Sequence, residues 1–226
     1  MSPKVKDKEP GLNDVLEAIE SRIIFGALEP GDELTEDGLI DITGAKRHVV
    51  RAALEQMIRS GLITKQRGHS ARVRQYSAIE VSELYHMRAV LHLEAVRIMP
   101  LPAVAADVLH LKEILTDYEA AVARGAAALT IHRLNDRFHR AIWALSRNGL
   151  LEEMIDALNV RSAAIRSHGI TNADWLAQAR LEHRAMIDAI ERGDREGLSR
   201  LVVDHMHPTR RIWEDMHGMK GGDQQR

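Results

Sequence analysis

The stretch Gly44-Ala45-Lys46-Arg47-His48-Val49-Val50-Arg51-Ala52-Ala53-Leu54 constrains this chain more than any other. It opens a helix directly after a Thr-Gly turn. Val50, Ala53, Leu54 and Met57 then recur at helical spacing and make a core stripe. Arg47, His48 and Arg51 fall to one side of that stripe, near the start of the helix. A helix that buries one flank and presents arginines at its N-terminal end has the geometry needed to enter a DNA major groove. The formal net charge of −2 argues against a nucleic-acid partner when taken alone. Its distribution argues the other way. Acids dominate from Asp7 to Ile42, whereas between Thr43 and Tyr76 Lys46, Arg47, Arg51, Arg59, Lys65, Arg67, Arg72 and Arg74 face a single acid, Glu55. Such a basic block is either a solvated charge run or an electrostatic footprint for phosphates.

The flanking residues favour the second reading. Leu12, Val15, Leu16, Ile19 and Ile23 predict an amphipathic helix ending near Gly26, and Pro30-Gly31 marks a turn. Thr35 is placed to cap a short helix through Ile40. The basic helix should run to Ser60, with Gly61 as its C-cap. Leu62-Ile63-Thr64 and Ala71-Arg72-Val73-Arg74 then read as two short strands around a basic tip. Two helices, a turn, a third helix and a hairpin make a winged helix-turn-helix. The predicted fold class is mainly α, a winged helix-turn-helix followed by an antiparallel α-helical bundle. Residues 1–76 form the DNA-binding domain, 77–217 the helical domain and 218–226 a disordered tail. Ser77-x-x-Glu80 reads as a capping box. Helices are expected near Ala78–Met99, Ala103–Ala123, Ala126–Ser146, Leu150–Ser167, Asn172–Arg192 and Asp194–Glu214, with Pro208 kinking or ending the last. The absence of cysteine removes disulfides, thiol catalysis and Cys-type zinc sites and fits a cytoplasmic protein. No apolar run approaches the roughly 20 residues that span a bilayer, and the charged N-terminus is not a signal segment.

Ile24 to Val73 resembles the DNA-binding domain of the GntR family of bacterial transcription regulators. The matching residues are Gly26, Leu28-Glu29-Pro30-Gly31, Leu34, Glu36, Leu39, Gly44, Arg47, Val50-Arg51, Ala53-Leu54, Gly61-Leu62 and Gly68. Lys46 stands where the family usually has Ser, and Val49 where it usually has Pro. The resemblance implies that Arg47 and Arg51 contact bases or nearby phosphates and that the tip at Gly68-His69 reaches toward the minor groove. His48 shares the recognition helix, and Lys46, Lys65, Arg67, Arg72 and Arg74 supply mainly phosphate attraction.

In the helical domain the information lies where ionisable residues interrupt apolar stripes. Arg88 and His92, four apart, sit in the stripe of Val81, Leu84, Tyr85, Leu91 and Ala95. A buried guanidinium needs a partner. That partner is either an acid on another helix or the carboxylate of a small ligand. His183 and His205 lie on apolar faces of two further helices, and Asn135 and His139, four apart, lie at the margin of a third. Each is either a satisfied core group or part of a converging metal site. His132, His168, His207 and His217 lie near enough in sequence to be decoys.

Asn135-x-x-Phe138-His139, Glu182-His183 and Gly193-Asp194 followed by His205 resemble the effector-binding (FCD) domain of the FadR-type branch, in its shorter six-helix, VanR-like form. Many members hold a divalent metal through an Asp and three His, lining a cavity for a carboxylate metabolite. The resemblance places a metal such as zinc on His139, His183 and His205, with Asn135 in the Asp position. It keeps Arg88 as effector anchor and puts His92 where the family has Glu. The expected function is therefore a non-enzymatic repressor. It binds a near-palindromic operator in double-stranded DNA as a homodimer and answers to a small carboxylate, without a membrane partner. A regulator with a vestigial pocket and a metal-dependent enzyme are the competing readings.

Overall fold

The computed structural model describes residues 9–167, 169 and 172–218, and the chain divides into two compact units between Gln75 and Tyr76. In the first unit, helix α1 (Leu12–Ile24) buries Val15, Leu16, Ile19, Ile23 and Ile24, one apolar flank at helical spacing. Helix α2 (Glu36–Thr43) starts where Thr35 accepts a hydrogen bond from the Gly38 amide at 3.1 Å, as its sequence predicts. It ends at Gly44, whose φ of 67° favours a residue without a Cβ. Helix α3 (Arg47–Ser60) buries Val50, Ala53, Leu54 and Met57, so its opposite flank faces outward. Loss of the Thr35 cap in Thr35→Ala should cost about 1 kcal/mol. In a unit of this size that is a fall of roughly 4–8 °C in melting temperature, measurable by circular dichroism.

Strands β1 (Glu33–Leu34), β2 (Ile63–Lys65) and β3 (Ala71–Val73) form an antiparallel sheet in the order β1-β3-β2, with Glu33 opposite Arg72 and Ile63 opposite Val73. The wing therefore has three strands, where the sequence predicts two. The extra strand follows the Pro30-Gly31 turn. There the Gly31 amide donates to the Val73 carbonyl at 3.0 Å and the Val73 amide to the Asp32 carbonyl at 2.9 Å, drawing Glu33–Leu34 alongside β3.

The second unit is an antiparallel helical bundle. Its helices are α4 (Ala78–Ile98), α5 (Ala105–Ala123), α6 (Ala128–Ala144), α7 (Gly149–Arg161), α8 (Ala163–Ser167), α9 (Ala173–Arg192), α10 (Arg195–Asp204) and α11 (His207–Met216). The Ser77–Glu80 capping box opens α4, with reciprocal bonds of 2.9 and 3.2 Å. Six helices are expected from the sequence; two of them are broken, giving eight among the described residues. Ser162 separates α7 from α8, its hydroxyl donating back to the carbonyls of Leu158 and Asn159. Pro208, without an amide proton, accompanies the break between α10 and α11. Helix α5 packs on α6 and α9, and α10 packs on α4 and α9. Around them Leu111, Ile114, Phe138, Ile142, Ile187 and Ile190 are almost wholly buried. Tyr76 belongs to this unit rather than to the first. Its ring packs with Val81, Tyr85 and Trp213, and its hydroxyl donates to the Arg161 carbonyl at 2.6 Å. The terminal segment expected to be disordered, apart from Gly218, and His168 lie outside the described residues. None of the described helices is long and apolar enough to cross a membrane.

Candidate functional site

Lys46, Arg47, His48, Arg51, Lys65, Arg67, Gly68, His69 and Arg72 are all exposed on the first unit. Arg47 and Arg51 are held by acids of α2. Arg47 donates to Glu36 at 3.0 Å and to Asp37 at 2.5 Å, and Arg51 donates to Glu36 at 2.7 Å. The hydrogen bonds from Arg51 and Arg47 lower the Glu36 carboxyl below its ordinary range. Exposed pairs of this kind contribute little to stability and exchange readily for other anions. Lys46 pairs with Glu9 at 2.7 Å, and Arg72 bridges β3 to β1 through the Gly31 carbonyl and Glu33. Lys65 and Arg67 form no ion pair among the described residues, and Gly68 turns the wing at a φ of 81°. The acids of α2, which as a separate acidic block carry no site signal, are thus partners of Arg47 and Arg51.

In the second unit His139 of α6, His183 of α9 and His205 at the C-cap of α10 converge. The His205 Nε2 atom lies 3.3 Å from His183 Nε2 and 3.2 Å from His139 Nε2. Two nitrogens bound to one zinc at tetrahedral geometry stand about 3.3 Å apart, so the spacing fits a shared ion. Burial, then the neighbouring His205 and other cationic groups, hold His139 and His183 well below the usual imidazole range. They are therefore neutral, as metal ligands must be. The far nitrogen of His205, Nδ1, meets Glu182 Oε2 at 2.5 Å. A carboxylate behind a ligating imidazole orients the ring and raises its basicity. Asn135 lines the same cavity, and its amide has no hydrogen-bond partner among the described residues. The residues present fit a divalent cation on three imidazoles, with Asn135 lining the adjoining cavity. A bound cation would supply a Lewis-acid anchor for an anionic ligand.

The cavity beside this cluster has a volume of about 50 Å³ and is lined among others by Arg88, His92, Asn135, Trp143, Arg166 and Thr209. Arg88 is only 5 % exposed, and its Nε and Nη1 have no hydrogen-bond partner. Its guanidinium lies 4.9 Å from the centre of the Tyr85 ring. Burial lowers its pKa to about 10, so it stays charged at neutral pH. Of the two readings of Arg88, the internal salt bridge is absent among the described residues. His92 stacks on Trp143 at 4.2 Å with both ring nitrogens unpartnered. Burial and Arg88 push it well below the usual imidazole range.

Sequence reasoning misses Arg166, which lines the cavity from α8. It donates to Asp136 at 2.8 Å and to the Asn159 carbonyl at 3.1 Å. Burial would raise the Asp136 carboxyl, but Arg166 and His132 outweigh it and hold it at about 2. His132, read as a decoy, reaches Asp136 at 3.4 Å and lines the cavity.

The model of the GntR family, "Bacterial regulatory proteins, gntR family", matches residues 12–73, and the FCD domain matches residues 83–208. The chain is 23% identical to the "Uncharacterized HTH-type transcriptional regulator YdhC" of Bacillus subtilis (strain 168), over 84% of each chain. It is 25% identical to the "Probable D-xylose utilization operon transcriptional repressor" of Paenarthrobacter nicotinovorans, over 86% of this chain and 84% of that one. Among solved structures, E. coli McbR/YncC shares the fold with a TM-score of 0.75 at 22% identity, covering 91% of this chain and 98% of the other. The recognition helix and its wing, the histidine-bearing bundle and these matches lead to one conclusion: the chain belongs to the GntR family of transcriptional regulators, with a winged helix-turn-helix followed by an FCD domain.

Proposed function

We propose that the protein is a homodimeric, ligand-responsive repressor of the cytoplasm. The helical unit holds a divalent metal on His139, His183 and His205, assisted by Asn135, and takes a small carboxylate. The observation that carries this reading is the approach of His205 Nε2 to 3.2 Å from His139 Nε2 and 3.3 Å from His183 Nε2, beside the cavity that buries the unpaired Arg88. Arg88 has two unspent donors for two carboxylate oxygens, and charge-assisted pairs of this type are the strong ones. Repression is suggested by the name of the P. nicotinovorans relative.

Dimerisation is supported by two considerations. One winged helix reads only a few base pairs, and a two-fold pair reads a near-palindrome. In addition α4 exposes Met87, Val90 and Leu93 along one face, an apolar stripe suited to a second copy. The carboxylate changes operator affinity by binding one arrangement of the two DNA-reading heads better than the other.

Metal analysis of the purified protein, with operator mobility shifts at fixed salt, tests the proposal. One metal ion per chain is expected. A panel of small carboxylates should contain one that shifts operator affinity by roughly 5- to 150-fold, the usual range of such coupling. Absence of metal together with no response to any carboxylate would overturn the proposal in favour of a regulator with a vestigial pocket.

A further inference from the structure

The cavity wall carries more positive charge than its acids offset. Its positive charges are two guanidinium groups, Arg88 and Arg166; imidazoles line it as well, while no Asp or Glu among the described residues does. The two carboxylates just behind the wall are already engaged. Asp136 is bonded to Arg166 and faces His132, and Glu182 is bonded to His205. Arg88 is left as a buried cation without a counter-ion, and an uncompensated buried charge is costly. At the other end, a divalent ion on three neutral imidazoles and an Asn carbonyl would keep its full charge, because Asn135 brings none.

The cavity thus has two separate seats for negative charge. One is at His139, His183 and His205. The other is at Arg88 and His92, one helical turn apart on α4 and both more than nine-tenths buried with unpartnered nitrogens. His92 stacks flat on Trp143, so its ring is fixed and its one N–H can donate in the ring plane. A monocarboxylate fills one seat and leaves the other unsatisfied. Both seats border one small cavity of about 50 Å³, which favours a short spacer between them.

We propose that the cavity selects a short-chain dicarboxylate, with one carboxylate at the histidine cluster and the other on Arg88 and His92. The proposal rests on the reading of this cavity as a metal-assisted carboxylate site. The test is calorimetry on the zinc-loaded full-length protein with chain-matched pairs, malonate against propionate and succinate against butyrate. Inorganic phosphate serves as the competing anion. At least one dicarboxylate is expected to bind roughly 10- to 100-fold more tightly than its monocarboxylate partner, the range a hydrogen bond to a charged group supplies. His92→Glu places an acid beside Arg88 and occupies the second seat. It should cut dicarboxylate affinity by at least about tenfold and shrink the dicarboxylate-over-monocarboxylate preference within each pair to about threefold or less. Equal affinities within each pair, tighter binding of phosphate, or an unchanged preference in His92→Glu would overturn the dicarboxylate assignment while leaving the carboxylate site standing. Binding of zinc with no binding of any carboxylate would remove the carboxylate reading itself. The wild-type comparison decides the matter even if the variant does not fold.

Discussion

Arg47→Ala is expected to lower operator affinity by about 100-fold or more at fixed salt, with the fold and the proposed dimer unchanged. A specific arginine–base contact contributes roughly 1–3 kcal/mol, and a two-fold assembly loses it in both half-sites, which multiplies the factors. The structure adds a second component. In the free protein the Arg47 guanidinium covers Glu36 and Asp37. Removing it leaves Asp37 without its ion-pair partner among the described residues, near the N-terminal end of α3, where its carboxylate would repel an approaching phosphate. The fold should be indifferent, because Arg47 is exposed and its pairs are solvated. Lys65→Ala is the internal comparison. It removes a phosphate attraction only, so it should weaken all sequences alike and reduce the salt slope by about two, one for each half-site. Mobility-shift titrations on operator and scrambled DNA at several salt concentrations separate the two variants. Wild-type operator affinity in Arg47→Ala would sink the assignment of α3 as the reading element.

The legibility of these features in the sequence follows from how local each one is. The stripe Val50, Ala53, Leu54, Met57 and the caps at Thr35 and Gly61 are set by neighbours within a few residues, and periodicity displays them. Strand β1 has two residues and hence no period; it exists because β3 lies beside it. The break at Ser162 has no Gly or Pro to announce it, since a serine hydroxyl turned back on its own helix is not visible as a breaker. Pro208 is visible, and the helix breaks beside it.

The same division runs through the cavity. Arg88, His92, His139, His183 and His205 interrupt apolar faces and stand out for that reason. Arg166 lies thirty residues from Asp136, and Glu182 twenty-three from His205; only the bundle topology brings each pair together. Asp136 is bonded to Arg166 and faces His132. Glu36 and Asp37 belong in sequence to an acidic block, yet across the α2–α3 turn they neutralise the first residues of the basic one.

The second large effect is expected at His183. It is fully buried, with Phe138 4.5 Å and Tyr118 5.2 Å from its ring centre, so His183→Leu keeps the volume filled and removes one donor nitrogen. Structural zinc sites bind with roughly 10–16 kcal/mol over four ligands, so one ligand accounts for about 3–4 kcal/mol and its loss for two to three powers of ten in affinity. Glu182→Gln removes only the carboxylate behind His205 and should cost about 10- to 100-fold. A merely structural histidine cluster predicts neither the loss nor its ordering. The thermal readout follows by linkage. An ion present at a thousand times its dissociation constant stabilises the native state by about 4 kcal/mol, which at this chain length raises the melting temperature by roughly 8–16 °C. Zinc should produce that rise in the wild type, a smaller one in Glu182→Gln and the smallest, roughly 1–6 °C, in His183→Leu. The metal-free melting temperatures report whether the substitutions themselves disturb the bundle. Equal zinc-induced rises in all three proteins would show that the ion binds elsewhere, and the convergence of the three imidazoles would then be a packing feature of the core.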